Sequence, residues 1–332
     1  MRRHPLQVLF SETKPLPFLP LVDHYAGSEK QLLKALSLQT QLGPIFDITG
    51  DCEDGAPVGA EAEHALMIAR CIASPDNLHA RLGARIHDAG HACWRQDIEL
   101  LLAEAGQKLA FLTLPKARSV EDVALQIKTL RQAEAKAQLR RQIPVHVLIE
   151  THGALRDVWK IAALPGVESL DFGLMDFVSA HAGAIPDSAM RSPGQFEHPL
   201  IIRAKAEISA AALANGVIPT HNVSTELKDL AVVRNDALRA RQEFGYLRMW
   251  SIHPQQVLAI VEAMRPDFSS LQLAGEILLA AQDADWGPIR YAERLHDRAS
   301  YRYYWSLLSR AKASGMALPA EMIERFFAVQ DD

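Results

Sequence analysis

The stretch VHVLIETHGALRDVWKIAALPGVESLDFGLMD at residues 145–176 contains the repeating unit from which we infer the fold. Two apolar runs, VHVLIE and SLDFGLMD, enclose an amphipathic segment at 154–166. Runs that are apolar on both faces suit strands of a parallel sheet, because helices cover both sides of such a sheet. The stretch therefore predicts a strand, a helix and a second strand parallel to the first.

The same alternation extends along the whole chain. We predict eight strands, at residues 7–12, 44–54, 80–88, 108–116, 145–151, 169–177, 216–222 and 246–254. Eight strand–helix units in about 270 residues match a (β/α)₈ TIM barrel, an α/β fold. A Rossmann fold is disfavoured because no Gly-x-Gly-x-x-Gly follows the first strand. We expect a barrel over residues 1–260 that carries the functional site.

Residues 261–332 are expected to form a C-terminal helical segment. Its part GPIRYAERLHDRASYRYYWSLLSRAKASG, residues 287–315, is dense in arginine and aromatic side chains. These residue types are enriched at protein interfaces. We therefore expect this segment to contribute to oligomerisation.

Composition excludes several classes of function. The net charge is -5 with acids and bases interspersed, which gives no electrostatic reason for nucleic-acid or anionic-membrane binding. We find no run of about 18 apolar residues, so no membrane span is expected. The chain has three cysteines at no metal-like spacing, and its N-terminus lacks the pattern of a signal peptide. Together these features favour a cytoplasmic protein with reduced thiols.

Two carboxylates end the strands quoted above, Glu150 and Asp176. Each has an ordinary structural explanation, since an acid at a helix start favours the helix dipole and an Asp in a loop often caps a helix. Adjacent strands of one barrel would nevertheless bring both groups together, where Gly173 allows close backbone approach. Two carboxylates with waters and a chelating substrate form a usual Mg²⁺ shell. We predict a divalent-cation site there.

Further charged residues follow other strands. Glu53 and Asp54 lie in DCEDGAP, an ordinary loop sequence in which Asp54 could simply cap a helix. Alternatively, both acids could hold water molecules that are bound to the cation. Arg85 follows the third strand, and its ordinary explanation is a surface salt bridge. A guanidinium at that place also suits a carboxylate, a thioester carbonyl or an enolate oxygen.

Other candidates are weaker. Lys116, in TLPKA, raises the possibility of a Schiff-base aldolase. Such an enzyme needs a lysine in a desolvated pocket, whereas Lys116 follows a proline in a loop. His221 and Asn222 could line the mouth of a pocket. Neither HExxH nor GxSxG occurs, so zinc hydrolysis and serine hydrolysis have no support.

Taken in order, several motifs resemble the HpcH/HpaI aldolase and citrate-lyase β-subunit superfamily, especially its acyl-CoA lyase branch. The resemblance covers about residues 7–260. The motifs are DCED at 51–54, GARIH at 83–87, LPKARSVEDV at 114–123, LIETHGAL at 148–155, FGLMDF at 172–177 and FGYLRMWSIHPQQV at 244–257.

The resemblance implies specific roles. Glu150 and Asp176 would bind Mg²⁺, with Mn²⁺ as a second candidate metal, and Arg85 and Gly173 would bind the substrate. Glu53 and Asp54 would support the metal site. In similar lyases an Asp from a neighbouring subunit completes the site, and Asp297 looks like its match, although the family's Asp-x-Pro reads Asp-Arg-Ala here. Family members are commonly homotrimers or hexamers.

The activity that this resemblance implies is Mg²⁺-dependent cleavage of a 3-hydroxyacyl thioester such as malyl-, citramalyl- or citryl-CoA. Two alternatives stay open, a metal-dependent aldolase on free 4-hydroxy-2-oxo acids and a catalytically silent carboxylate-binding paralogue. The segment LFSETKPLPFLP at 9–20 lacks the Pro-Gly turn that usually follows the family's first strand, which favours the free-acid version. The acids of DCED and the long C-terminal segment favour the thioester version.

Overall fold

The computed structural model describes residues 3–10, 15–55 and 57–328, and contains a closed barrel of parallel strands. The barrel closes because the first strand pairs with the eighth as well as with the second. The strands are β1 Val22–Ala26, β2 Phe46–Asp51, β3 Leu82–Arg85, β4 Leu112–Leu114, β5 Val145–Ile149, β6 Val167–Phe172, β7 Ile218–His221 and β8 Arg248–Ser251. The predicted (β/α)₈ fold is confirmed.

The prediction for the first strand was wrong. Residues Pro5–Leu9 form a short helix, α1, which His4 caps, and positions 11 and 12 of the predicted strand lie outside the described residues. The true first strand reads VDHYA, with Asp23 and His24 both buried. Asp23 is stabilised by Arg248 of the last strand, whose Nη2 lies 3.2 Å away. Because Arg248 is far from Asp23 in the sequence, the pairing cannot be seen there, and the polar residues of VDHYA resemble those of a loop.

Helices alternate with the strands around the barrel. They are α2 Glu29–Leu42, α3 Glu61–Ala73, α4 Trp94–Ala105, α5 Val120–Lys136, α6 His152–Arg156, α7 Val158–Ala162, α8 Leu174–Ser179, α9 Pro199–Ala214, α10 Leu230–Phe244 and α11 Pro254–Met264. Two short 3₁₀ helices, Asp187–Met190 and Gly194–Phe196, precede α9. The amphipathic segment predicted at 154–166 is divided between α6 and α7 at Asp157.

The strands separate an apolar layer from a polar barrel interior. Side chains that face the helices are apolar and fully buried, as Ile48, Leu82 and Val147 show. The side chains directed inward include acids and arginines that pair across the barrel, such as Asp47 with Arg248 at 2.6 Å. Alternation along each strand thus places charge inside the barrel and apolar surface under the helices.

The chain divides into two compact units, Leu21–Met264 and a second unit made of the described residues of 1–20 and 265–332. The described residues of 1–20 therefore group with the second unit, whereas the expected barrel range was 1–260. The second unit contains α12 Phe268–Asp283, β9 Ile289–Tyr291, β10 Arg294–His296, α13 Arg298–Ala313 and α14 Ala320–Phe326. It has its own apolar core, which includes Trp286, Tyr301 and Trp305.

The predicted C-terminal helical segment is confirmed, and the second unit also contains two short strands that were not predicted. Strands β9 and β10 form an antiparallel hairpin, whose two connecting residues, Ala292 and Glu293, have φ of 46° and 62°. Positive φ at both central residues is the geometry of a tight two-residue hairpin turn, for which Asn-Gly is the usual sequence. The sequence Ala-Glu at this turn therefore gives no indication of a hairpin. Within the described part of the chain, no helix is both long and apolar enough to cross a membrane.

Candidate functional site

A cavity of about 240 Å³ opens at the carboxyl ends of the barrel strands. It is lined by Tyr25, Asp54, Arg85, Leu148, Glu150, Phe172, Gly173, Leu174, Met175, Asp176, Asn222, Val223, Trp250 and Ile252. In barrel folds this end of the sheet is where the strand–helix loops form active sites. The cavity brings Asp54, Arg85, Glu150 and Asp176 together, as the sequence predicted.

Arg85 is held in a fixed orientation by Asp51, a residue that the sequence analysis did not select. Its Nε and Nη2 each donate to one oxygen of Asp51 at 2.8 Å, and the Tyr25 hydroxyl donates to the same carboxylate at 2.8 Å. Burial raises the pKa of Asp51, but the Arg85 guanidinium outweighs burial and holds that pKa below its usual range. Asp51 is therefore an anion that positions Arg85.

Glu53 and Asp54 form a charged cluster with Arg85 and Lys116. Arg85 lies 3.4 Å from Glu53 through Nη1 and 3.1 Å from Asp54 through Nη2, while Lys116 Nζ lies 2.9 Å from Glu53 and 3.2 Å from Asp54. Burial lowers the pKa of Lys116, yet these two acids raise it above its ordinary value overall. A Schiff-base lysine must be neutral, so this environment disfavours that chemistry.

Glu150 is the acid whose ionisation is most disturbed. It follows β5, its side chain is only 2% exposed, and Lys116 N–H donates to Oε1 at 2.7 Å. Burial, with a smaller contribution from Asp176, raises the pKa of Glu150 to about 8, although Arg85 acts in the opposite direction. A carboxyl group that burial keeps protonated near neutral pH gains most from a bound cation.

Backbone geometry is adapted to Glu150 on two sides. A Cβ on Gly173 would lie 2.1 Å from Glu150 Oε2, so only glycine fits beside this oxygen. On the other side Lys116 has a positive φ of 48°, which is strained for a residue other than glycine and directs its N–H at Glu150. Asp176 lies in the first turn of α8, half-buried, on the wall of the same cavity.

These donors fit a hard divalent cation. Glu150 and Asp176 both line the cavity with carboxyl groups, and Asp176 raises the pKa of Glu150. Mg²⁺ is bound in proteins by one or two carboxylates together with waters and substrate oxygens. Residues for such a shell are therefore present at this end of the barrel.

A second group of metal-type ligands lies inside the barrel. One ligand atom each of Asp23, His146 and Asp171 lies within 4.8 Å of the other two, and all three residues are buried. However, the guanidinium of Arg248 lies 3.2 Å from Asp23 Oδ2 and 2.6 Å from Asp47. Arg248 already supplies positive charge to these acids, so this group suits a cation less well than the cavity does.

His221 is the last residue of β7 and Asn222 follows it, and the two side chains have different surroundings. Asn222 lines the cavity. His221 is fully buried away from it, where Nε2 lies 2.7 Å from Lys205 Nζ of α9. The sequence prediction that both line the pocket is thus correct only for Asn222.

Asp297 lies in the second unit, where it is the N-cap of α13. Its side chain accepts hydrogen bonds from the backbone N–H groups of Ala299 and Ser300 at 3.0 and 3.4 Å. This is a complete capping arrangement. The suggested role of Asp297 in a neighbouring subunit stays a prediction.

Comparison with known proteins adds the family context. The model of the HpcH/HpaI aldolase/citrate lyase family matches residues 49–254. A crystal structure of a citrate lyase from Burkholderia xenovorans LB400 is 57% identical, with a TM-score of 0.82, over 98% of this chain and 100% of that chain. The L-malyl-CoA/beta-methylmalyl-CoA lyase of Rhodobacter capsulatus is 26% identical over 233 residues, which are 67% of this chain and 73% of that enzyme.

A more distant structure shares the fold. It is the CitE protein of Mycobacterium tuberculosis in complex with magnesium, acetoacetate and coenzyme A, 21% identical with a TM-score of 0.65. The alignment covers 89% of this chain and 98% of that chain.

Proposed function

The chain belongs to the HpcH/HpaI aldolase/citrate lyase family, and from this membership we propose that it is a Mg²⁺-dependent carbon–carbon lyase. The substrate class is a 3-hydroxyacyl thioester such as malyl-, citramalyl- or citryl-CoA. Support comes from the malyl-CoA lyases among its relatives. The observation that carries the proposal is the buried Glu150 beside Asp176 and Arg85 on one cavity.

Glu150 and Asp176 would hold the Mg²⁺ ion, and Mn²⁺ satisfies the same oxygen ligands. The ion supplies Lewis-acid polarisation of the substrate oxygens. Because Glu150 is buried and Lys116 N–H fixes one of its oxygens, its carboxylate is oriented before any ligand arrives. Gly173 keeps the adjacent backbone clear of the other oxygen.

In the cleavage step a general base takes the proton of the 3-hydroxyl, the hydroxyl oxygen forms a carbonyl, and the bond between C2 and C3 breaks. The electron pair of that bond passes to the thioester fragment, which leaves as an enolate. Arg85 is the group on the cavity that stabilises this negative oxygen, since Asp51 holds its guanidinium in place. Protonation of the enolate carbon completes the reaction.

Glu53 and Asp54 support the site through Arg85 and Lys116, whose charges they offset. Asp297 of a neighbouring copy is proposed as the proton donor to the enolate, in a homotrimer or hexamer. The second unit that carries Asp297 would then contribute to assembly. A cytoplasmic location remains part of this proposal.

The aldolase alternative loses one of its arguments. The segment at 9–20 was compared with the loop after the family's first strand, but the first strand is β1 at Val22–Ala26. The absent Pro-Gly turn in that segment therefore does not bear on CoA binding. Cleavage of free 4-hydroxy-2-oxo acids and silent carboxylate binding stay as outcomes of the test.

The test is a cleavage assay on a substrate panel with Mg²⁺ or with a chelator. Malyl-, citramalyl- and citryl-CoA are compared with free 4-hydroxy-2-oxo acids, and Glu150→Ala is the control. The proposal expects Mg²⁺-dependent cleavage of a thioester that Glu150→Ala abolishes while its circular dichroism is unchanged. Cleavage of free acids alone would assign the aldolase activity instead, and full activity of the variant would overturn the metal assignment.

A further inference from the structure

Asn222, a residue of the cavity wall, has an amide oxygen without a hydrogen-bond partner among the described residues. The residue follows β7, lines the cavity and is 2% exposed. Its amide nitrogen donates to Gln195 Oε1 at 2.9 Å and to the carbonyl of Val223 at 2.8 Å. Its amide oxygen Oδ1 is buried and accepts no hydrogen bond from the residues that the structure describes. Buried acceptors without a partner are rare and often mark a site of interaction.

The orientation of the Asn222 amide is determined by Gln195, whose own amide is oriented by Asp236 and Lys205. Gln195 Nε2 donates to Asp236 Oδ2 at 3.2 Å, and Gln195 Oε1 accepts from Lys205 Nζ at 3.1 Å. Rotating the Gln195 amide would place its oxygen against a carboxylate and its NH₂ against an amine. Gln195 therefore presents its oxygen to Asn222, which must answer with its nitrogen.

The backbone of Asn222 is fixed by the same group of residues. Lys205 Nζ lies 2.7 Å from His221 Nε2, so this ring nitrogen is the acceptor. The other ring nitrogen, Nδ1, then carries the proton and donates to the carbonyl of Asn222 at 3.0 Å. Lys205 thus holds the backbone carbonyl of Asn222 through His221 and its amide nitrogen through Gln195, which leaves Oδ1 able to accept a hydrogen bond.

We infer that Asn222 Oδ1 accepts a hydrogen bond from a ligand hydroxyl and makes the site selective for hydroxy acids over the corresponding oxo acids. This inference rests on the proposed function, in which the hydroxyl of the substrate becomes a carbonyl in the product. An oxo ligand has no proton to offer, so it leaves the buried acceptor unpaired. Sites built to bind a hydroxyl reject analogues that lack it.

The selectivity also has a consequence for turnover. The same atom that favours the hydroxy substrate offers nothing to the carbonyl fragment that cleavage produces. Asn222 would accordingly weaken binding of that product relative to the substrate. Asn222 is in this account a specificity-determining residue on the cavity wall, separate from the cation ligands and from Arg85.

The test measures binding, not turnover. Malate and oxaloacetate share a carbon skeleton and differ in one hydroxyl, so each is titrated in saturating MgCl₂ against the full-length protein, with freshly prepared oxaloacetate, by calorimetry. The wild-type protein is expected to bind malate roughly tenfold more tightly than oxaloacetate. Asn222→Leu, which has a similar shape and no acceptor, is expected to reduce this ratio to about one.

Two controls make the ratio decisive. Asn222→Asp retains an acceptor and should keep the preference for malate, because its added charge affects both dianions alike. Asn235→Leu, on the exposed face of α10, should keep the wild-type ratio. An unchanged ratio in Asn222→Leu, with both acids still bound, would overturn this inference alone. Wild-type protein that binds neither acid in Mg²⁺, or binds both equally, would also overturn this inference, whereas the proposed function fails only if no thioester of the panel is cleaved.

Discussion

Two arginine–aspartate pairs stand at different depths of the same barrel. Near the cavity, Arg85 binds Asp51 through two hydrogen bonds at 2.8 Å. Deeper in the barrel, Arg248 pairs with Asp47 at 2.6 Å and with Asp23 at 3.2 Å. We call Arg85 and Asp51, together with the acids Glu53, Asp54, Glu150 and Asp176, the rim cluster. We call Arg248, Asp47 and Asp23 the interior cluster. Their chemistry is similar, and their access differs.

The two clusters differ in their access to a cavity and in the number of acids around their cations. The rim cluster borders a cavity and carries acids beyond those that its cations need, among them Glu150, so it can take up a cation and a substrate. Asp23, Asp47 and Arg248 of the interior cluster are almost fully buried, and the Thr49 hydroxyl donates to Asp23 at 2.7 Å. Under the proposed function, similar charges serve ligand binding at one depth and internal pairing at the other.

Arg248→Met should give the largest effect on stability. Removing the arginine takes the cation away from buried Asp23 and leaves Asp47 only its contact with Arg81 at 3.4 Å, which costs about 3–5 kcal/mol of unfolding free energy. Urea denaturation followed by circular dichroism measures this loss. A loss below about 1 kcal/mol would mean that the two acids are already neutral without Arg248.

Arg85→Met should reduce activity strongly and stability only slightly. We expect a loss of about 10²–10³-fold in kcat/KM for thioester cleavage, as for removal of other groups that stabilise a developing anion. The loss of stability should be smaller than in Arg248→Met, because Asp54 is exposed and Asp51 keeps hydrogen bonds from the Tyr25 hydroxyl and the Glu53 N–H. Equal destabilisation by both variants would remove the distinction between the two clusters.

The ionisation of Glu150 predicts how the metal-free protein responds to pH. Its pKa rises to about 8 on folding, so between about pH 5 and pH 8 the folded protein holds a proton that the unfolded chain has lost. Stability from this group is complete at low pH and falls by about 1 kcal/mol per pH unit as pH rises through that window.

Glu150→Gln should flatten this part of the profile, which denaturation in chelator at several pH values would show. Mg²⁺ competes with the same proton, so its apparent affinity should weaken about tenfold per unit below pH 8 in the wild-type protein. An affinity that is constant from pH 6 to pH 8 would contradict the assignment of Glu150.

The smallest effect concerns the backbone that aims at Glu150. Lys116 has φ of 48°, which glycine adopts without strain and alanine does not. Lys116→Gly and Lys116→Ala both lose the ion pairs with Glu53 and Asp54, so their difference isolates the backbone. We expect the glycine variant to be more stable by about 1 kcal/mol in thermal unfolding. Equal stabilities would show that this conformation is not strained.

Sequence reasoning succeeded where a short local pattern decides the outcome. The apolar run before Glu150 gives a strand, and the acid after it must lie at the strand end. Asp54, Arg85 and Asp176 could be placed on the cavity in the same way. Chain order around a barrel then brings these ends together without further information.

It failed where a residue is stabilised by partners far along the chain. Strand β1 contains Asp23, whose place inside the barrel makes sense only with Arg248. Asp51 looked like one more acid of a turn, although it is the partner that holds Arg85. The unpaired oxygen of Asn222 depends on a network through Gln195 that no spacing in the sequence reveals.

The central claim is that the rim cluster, and not the interior cluster, holds the divalent cation. Mn²⁺ can stand in for Mg²⁺, and its binding is counted by electron paramagnetic resonance for the wild-type protein, Glu150→Gln and Asp23→Asn. We predict that the Mn²⁺ site found in the wild-type protein is lost in Glu150→Gln and kept in Asp23→Asn, with both variants folded. A site that survives in Glu150→Gln and disappears in Asp23→Asn would contradict the account.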